Sequence, residues 1–273
     1  MHAIHVGGAA VPALGLGTYG LTNQAACDIV REALDVGYRH IDTAQMYGNE
    51  DMVGKAVRES SVRREDLFIT TKVWLDKLGD EDFLPSVEES LRQLRMDYVD
   101  LLLIHWPNPM ISTEESVRNL VAAHDQGYAR HIGVSNFPSA MMTEAQNLSG
   151  NRLINNQVEY HVYLDQKEVL QATRKAGAFL TAYSPVAKGQ VFGDEVVQKI
   201  ARAHQKNEAQ IALRWLLQQE QVAAIPRSSN PDHVRSNFEV FDFELTKEEM
   251  ERLGGLCTKE GRIIDPHFAP AWD

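Results

Sequence analysis

A chain of 273 residues, 44% hydrophobic and 24% charged, has ordinary globular composition and is long enough to bury a core without disulfide or metal staples. Its formal net charge of −11 argues against a nucleic-acid or membrane-surface binder, and no apolar run approaches the roughly 18 residues that a membrane-crossing helix needs. The two cysteines, Cys27 and Cys257, fit no metal or redox spacing; with a start that lacks a signal-like stretch, they set the expected compartment as a reducing cytoplasm.

Ile4-His5-Val6 and Ala10-Val11-Pro12 flank Gly7-Gly8 and predict a short N-terminal hairpin. One theme then repeats. A strand over 11–16 precedes a helix with Ala26, Ile29, Val30, Ala33 and Leu34 on one face, ended by Gly37. Strand 39–44 precedes a helix over about 49–59, and strand 67–73 a helix bearing Val87, Leu91 and Leu94. Strand 98–105 precedes a helix bearing Val117, Leu120, Val121 and His124, stopped by Gly127. In the second half, strand 131–135 leads to a helix with Met142, Ala145 and Leu148. Strand 154–159 leads to one opened by Asp165 with Glu168 as a capping pair and stopped by Gly177. Strand 178–184 is followed by a helix over about 208–219 carrying Ile211, Ala212 and Trp215. A strand over 222–226, a short helix from about Pro231 and a final helix capped by Thr246 with Glu249 come before an irregular tail over 255–273. Strands alternating with helices predict a parallel sheet, and eight such units predict closure into a (β/α)8 TIM barrel of the α/β class. With no linker-like stretch, residues 1–273 are read as a single domain.

Gly15-Leu16-Gly17-Thr18-Tyr19-Gly20 spells a G-x-G-x-x-G motif, with Asp42 at a suitable distance for a dinucleotide-binding Rossmann half. An open six-stranded sheet would leave two strand–helix units unplaced. The informative polar residues also end strands throughout the chain rather than in its first half. The glycines are therefore assigned to a tight loop at the mouth of the first strand.

Those strand ends carry the chemistry. Asp42 ends the second strand with Tyr47 just beyond it, Lys72 ends the third and His105 the fourth. In an eight-fold barrel these ends converge on one face. Hydride addition to a carbonyl generates an alkoxide that needs a proton. Tyr47 suits the donor, Lys72 suits the charge that favours its phenolate, Asp42 suits the partner that keeps the lysine charged, and His105 suits the hydrogen bond to the carbonyl oxygen. Singly, each residue would be read as packing or as a structural ion pair. Four suitable groups at matching strand ends favour catalysis.

The chain resembles the aldo-keto reductases. The matching pieces include Leu14-Gly15-Leu16-Gly17-Thr18, Gly37-Tyr38-Arg39-His40-Ile41-Asp42-Thr43-Ala44 running to Tyr47, Thr71-Lys72-Val73-Trp74 and Leu103-Ile104-His105-Trp106-Pro107. Gly133-Val134-Ser135-Asn136-Phe137, Asn156-Gln157-Val158-Glu159-Tyr160-His161, Ala182-Tyr183-Ser184-Pro185, Ile225-Pro226-Arg227-Ser228 and Phe241-Asp242-Phe243-Glu244-Leu245 extend the match over nearly the whole chain. The short loops resemble the prokaryotic branch that includes 2,5-diketo-gluconate and methylglyoxal-type reductases. The resemblance implies reduction of a small-molecule carbonyl substrate by NADPH, with NADH as the alternative, in a monomer with no nucleic-acid, membrane or metal partner. It places Ser135, Asn136 and Gln157 at the nicotinamide carboxamide, Tyr183 under its ring, and Asp42 also at its ribose. Gly17, Thr18, Ser184, Pro185, Val186 and Lys188 fall along the rest of the cofactor, with Ser184 and its loop near the pyrophosphate. Arg227, Ser228 and Ser229 fall at the adenosine 2′-phosphate and Asn237 near the adenine. His233 stands where the family usually has a second arginine, which weakens the grip on that phosphate; Arg235 is either its substitute or a solvated helix residue. Tyr19, Met46, Trp74 and Trp106 match the substrate pocket beside Tyr47 and His105, and the short loop and tail predict an open pocket with broad acceptance. The alternatives are a catalytically idle scaffold or sensing subunit on the same fold and, last, a metal-dependent barrel hydrolase, which the unclustered histidines disfavour.

Overall fold

The computed structural model describes residues 2–273. It opens with an antiparallel hairpin, β1 (Ala3–Val6) and β2 (Ala9–Pro12), joined by Gly7 and Gly8. Both turn residues have positive φ, +53° and +80°, which only glycine adopts freely and which matches the hairpin twist. The hairpin lies at the end of the barrel away from the site, with Gly7 against Ile154 at the start of a barrel strand.

Eight parallel strands follow, paired in chain order: β3 (Leu16–Gly17), β4 (His40–Asp42), β5 (Phe68–Val73), β6 (Val99–Ile104), β7 (Ala129–Ser135), β8 (Leu153–Glu159), β9 (Phe179–Tyr183) and β10 (Val222–Ala224). β5, β6 and β8 are buried along their whole length, as expected of strands covered on both faces. A parallel bridge between Leu14 and Ala224 joins first to last, so the sheet closes into the predicted barrel. The seam explains the glycine motif. Gly15 N donates to Ala224 O and Gly17 N to Pro226 O, and a Cβ on Gly17 would stand 2.9 Å from the Ile225 carbonyl oxygen. Close approach across the seam, rather than a tight loop, is what these two glycines serve.

Helices α1 (Asn23–Val36), α2 (Glu50–Glu59), α3 (Phe83–Leu94), α4 (Thr113–Asp125), α5 (Ser139–Leu148) and α6 (Lys167–Lys175) alternate with the strands. The predicted stripe on α1 is buried at every position named, because i, i+3, i+4 and i+7 share one helical face. Three details differ from expectation. The first barrel strand begins at Leu16, after the hairpin has ended at Pro12, a residue with no N–H to offer a ladder. On α5 Met142 and Ala145 are buried, but Leu148 in the last turn is 41% exposed. Asp165 and Glu168 form no capping pair: α6 begins at Lys167, Gln166 precedes it, and the Gln166 amide turns inward to donate to Glu159 O at 2.7 Å.

The second half also holds a helix that the strand–helix pattern passes over. A 3-10 segment over Ala187–Gly193 leads into α7 (Glu195–His204), whose N-cap Asp194 accepts from Val196 N and Val197 N. α7 packs on α8 (Glu208–Leu217), which is buried at every residue from Ala209 onward. α9 (Pro231–Phe238) and α10 (Lys247–Gly254) complete the set, the latter closed by the predicted Thr246–Glu249 capping box. Among the described residues, no helix is long and apolar enough to cross a membrane.

Candidate active site

β4 and β5 run parallel with Asp42 opposite Thr70, so Lys72 lies two residues further along on the same face. Its side chain, fully buried like that of Asp42, donates to the Asp42 carboxylate, to Thr43 O at 2.8 Å and to Tyr47 Oη at 3.3 Å. The ammonium also lies 4.9 Å from the Tyr47 ring centroid. The second Asp42 oxygen accepts from Gln157 Nε2 at 2.7 Å, which ties β4 to β8 across the barrel mouth. A buried ion pair survives only when its remaining valences are met, and here they are.

Tyr47 sits on a 3-10 turn, Gln45–Tyr47, fixed by a residue the sequence does not flag. The Gln45 amide donates to Ser86 O and Ser90 Oγ on α3, while its carbonyl accepts from Trp74 N at 2.9 Å. Asn49 does similar work: it donates to Thr18 O and Leu21 O and accepts from Thr43 Oγ1, joining the loops after β3 and β4. The His105 ring meets Tyr47 edge-on at 5.5 Å and Trp74 at 5.1 Å; its Nδ1 is buried without a partner. Asp42, Tyr47, Lys72 and His105 therefore share one small space, as their strand positions predict.

Burial, then the charge of Asp42 and the neighbouring Tyr19, push the Tyr47 phenol well above its ordinary range. Burial lowers the Lys72 pKa, while the charge and hydrogen bond of Asp42 oppose that shift. Tyr47 thus carries its proton at neutral pH. Burial, then the Lys72 charge, hold His105 well below the ordinary histidine value, so its ring is neutral.

The remaining predicted residues divide by place. Thr18 is buried, its N and Oγ1 both donating to Asp42 O. Ser135 Oγ donates to Gln157 O; Asn136 Nδ2 donates to His105 O and Ser135 Oγ; Tyr183 Oη donates to Asn136 Oδ1 at 2.8 Å. Gln157 keeps one amide hydrogen, and Asn136 Oδ1 and Ser135 Oγ each keep a lone pair, so the set still offers both a donor and acceptors to a primary amide. That inventory fits a nicotinamide carboxamide. Asn136 and, after β9, Ser184, Ala187 and Lys188 hold φ between +48° and +62°, strain of the kind that gathers at ligand loops. Pro185 is buried, Val186 half-buried and Lys188 exposed.

Arg227 is exposed and lies across the loop after β3, donating to Tyr19 O and Gly20 O at 3.0 and 3.1 Å. Ser228 is buried, with its hydroxyl in the turn before α9; Ser229 and His233 are exposed and Asn237 is buried. Arg235 is held by Glu32 and Asp232, each at 2.8 Å, which makes it an α1–α9 tie rather than a free phosphate ligand. Among the described residues, no hydrogen bond or ring contact joins Lys188, Ser229, His233 or Asn237 to the mouth.

Of the residues expected at the substrate, Tyr19 is 62% exposed and stacks edge-on with Tyr47 at 5.2 Å, while Met46 is exposed. Trp106 is buried, and among the described residues its ring pairs with tail rings rather than with Tyr47 or His105. It packs against Phe268 and Trp272 of the tail, and Phe268 also meets Trp74. These two tail aromatics, which adjoin Trp74 and Trp106, were not among the residues expected beside the site. No strand or helical periodicity marks a tail that folds back by an irregular path.

Residues 13–256 match the aldo/keto reductase family. The chain is 39% identical over 268 residues to the methylglyoxal reductase DkgB of Escherichia coli O157:H7, covering 97% of this chain and 100% of that one. It is 40% identical over 257 residues to the glyoxal reductase of Bacillus subtilis (strain 168), covering 94% and 92%. Among solved structures, an aldo-keto reductase of Bombyx mori in complex with NADP superposes with a TM-score of 0.89 at 34% identity, covering 96% of this chain and 94% of that one. A closed α/β barrel with its polar groups gathered at the strand C-termini is the framework of many barrel enzymes. This chain belongs to the aldo/keto reductase family and is an NAD(P)H-dependent oxidoreductase.

The buried histidines give a pH signature. Burial also holds His40 below its ordinary value. A base with a depressed folded pKa is protonated first in the unfolded chain, so its contribution to stability is complete above about pH 6.5 and is lost as pH falls below it. The urea midpoint should therefore decline between about pH 6.5 and 5.5, before ordinary carboxylates titrate, and His105→Gln should make that decline shallower.

Proposed function

We propose that the protein reduces small aldehydes and ketones to alcohols, with NADPH as the preferred cofactor and Tyr47 as the proton donor. The observation that carries the reading is the simultaneous contact of the Lys72 ammonium with the Asp42 carboxylate and the Tyr47 hydroxyl, with the His105 ring alongside. When bound, the reduced nicotinamide supplies the hydride to the carbonyl carbon. Ser135, Asn136, Gln157 and Tyr183 would hold that end of the cofactor, with Asp42 at its ribose. Gly17, Thr18 and the 184–188 loop would line its middle, and Arg227, Ser228, Ser229, His233 and Asn237 its far end.

The chain's own residues handle the proton. His105, neutral, donates an N–H to the carbonyl oxygen and orients it. Tyr47 Oη passes its proton to that oxygen as the alkoxide forms. Burial and Asp42 oppose the phenolate left behind, and the Lys72 ammonium, hydrogen-bonded to its oxygen, supplies a counter-charge. Asp42 keeps the ammonium in place despite burial. Tyr19, Trp74 and Trp106 provide a largely aromatic surround for a small carbonyl compound, in keeping with relatives named for methylglyoxal and glyoxal.

Tyr47→Phe should lower turnover of such aldehydes by about a hundredfold or more, measured as loss of nicotinamide absorbance. Cofactor should still quench tryptophan fluorescence in the variant. Wild-type turnover in Tyr47→Phe would remove Tyr47 from the role.

Arg227 can pair with a 2′-phosphate through the guanidinium hydrogens it does not spend on Tyr19 and Gly20, whereas the imidazole of His233 lacks the forked donors of a second arginine. NADPH should therefore exceed NADH in kcat/KM by about tenfold, the scale of one charge-assisted contact, and Arg227→Ala should erase most of that margin. Equal efficiency with both cofactors in the unmodified enzyme would exclude Arg227 as the phosphate ligand.

A further inference from the structure

Beyond α10 the only regular structure is a 3-10 turn, Lys259–Gly261, and an isolated bridge from Thr258 to Leu164, yet this tail places two aromatic rings against Trp74 and Trp106. Between ring centres, Phe268 stands 5.9 Å from Trp74 and 5.5 Å from Trp106, and Trp272 stands 6.0 Å from Trp106.

What holds the tail just before these rings is a single carboxylate. Glu159, the last residue of β8, is fully buried. Its Oε1 accepts from Ile263 N at 2.8 Å and its Oε2 from Ile264 N at 2.9 Å, with His161 Nε2 also 2.9 Å from Oε1. A buried carboxylate is tolerated only when its oxygens are satisfied, and most of that satisfaction comes from the tail's own backbone. The other ties, such as Arg262 stacked on Trp272 and Ser139 donating to the Asp273 carboxylate, lie nearer the surface. Glu159 also shares a strand face with Gln157, two residues earlier, which donates to Asp42.

We propose that Glu159 is a positioning residue for substrate binding: by gripping two successive N–H groups of the tail, it sets where Phe268 and Trp272 stand against Trp74 and Trp106. The kinetic part rests on the carbonyl-reductase reading; the anchoring part does not. Glu159→Gln keeps the shape but replaces one acceptor oxygen with a donor. Amide hydrogen exchange over residues 262–273 should speed up by about tenfold. KM for an aromatic aldehyde should rise by about tenfold, with kcat and cofactor affinity within about twofold of wild type. Ile264→Pro removes one donor from the tail side, leaves the Glu159–His161 contact intact and should raise KM in the same way, which keeps the test open if Glu159→Gln does not fold. Unchanged exchange in a folded variant would overturn the anchor. Faster exchange with unchanged KM, or a fall in kcat at constant KM, would overturn the positioning role. Absence of any carbonyl reduction by the wild type would overturn the functional reading instead, and the exchange comparison would still decide the anchor.

Discussion

A lysine and an aspartate, both out of contact with water, form the pair on which the barrel mouth depends. Removing two charges from water costs several kcal/mol per ion, and a well-packed apolar pair of similar volume often serves stability as well or better. Here the Lys72 ammonium meets a carboxylate, a backbone carbonyl and a phenol, and the far oxygen of Asp42 meets the Gln157 amide. The pair links β4, β5 and β8 and fixes the phenol beside the imidazole. We read its presence as a matter of chemistry rather than stability.

Burial and bonding fall away from that centre. The groups around Asp42 and Lys72 are buried and hydrogen-bonded to one another, whereas Arg227, Ser229 and His233 at the proposed cofactor's far end are exposed. The proposed substrate side is assembled from pieces distant in sequence: a 3-10 turn braced by Gln45, the residues after β5 and β6, and a tail clasped by Glu159. Gln45 thus braces both the turn that carries Tyr47 and the backbone of Trp74, whereas the tail is held separately, by Glu159.

The barrel is legible in the sequence because its strands are short apolar runs bounded by glycine-ended helices, and the convergence of Asp42, Tyr47, Lys72 and His105 follows from their places at strand ends. What escapes is set by tertiary context. α7 is passed over because a unit with two consecutive helices breaks the alternation. The Asp165–Glu168 pattern fails because Gln166 spends its amide on Glu159 inside the barrel. The acidity of Tyr47 depends on burial, which the spacing of charges does not reveal. Phe268 and Trp272 lie in a segment without periodicity, and only the fold-back brings them to Trp106.

We propose that the Lys72 charge, held by Asp42, supports proton donation by Tyr47. The single-turnover rate of carbonyl reduction in Lys72→Met, measured with saturating NADPH, tests it most directly. The rate should fall by about a hundredfold or more while cofactor still binds; reduction at the wild-type rate would contradict the account.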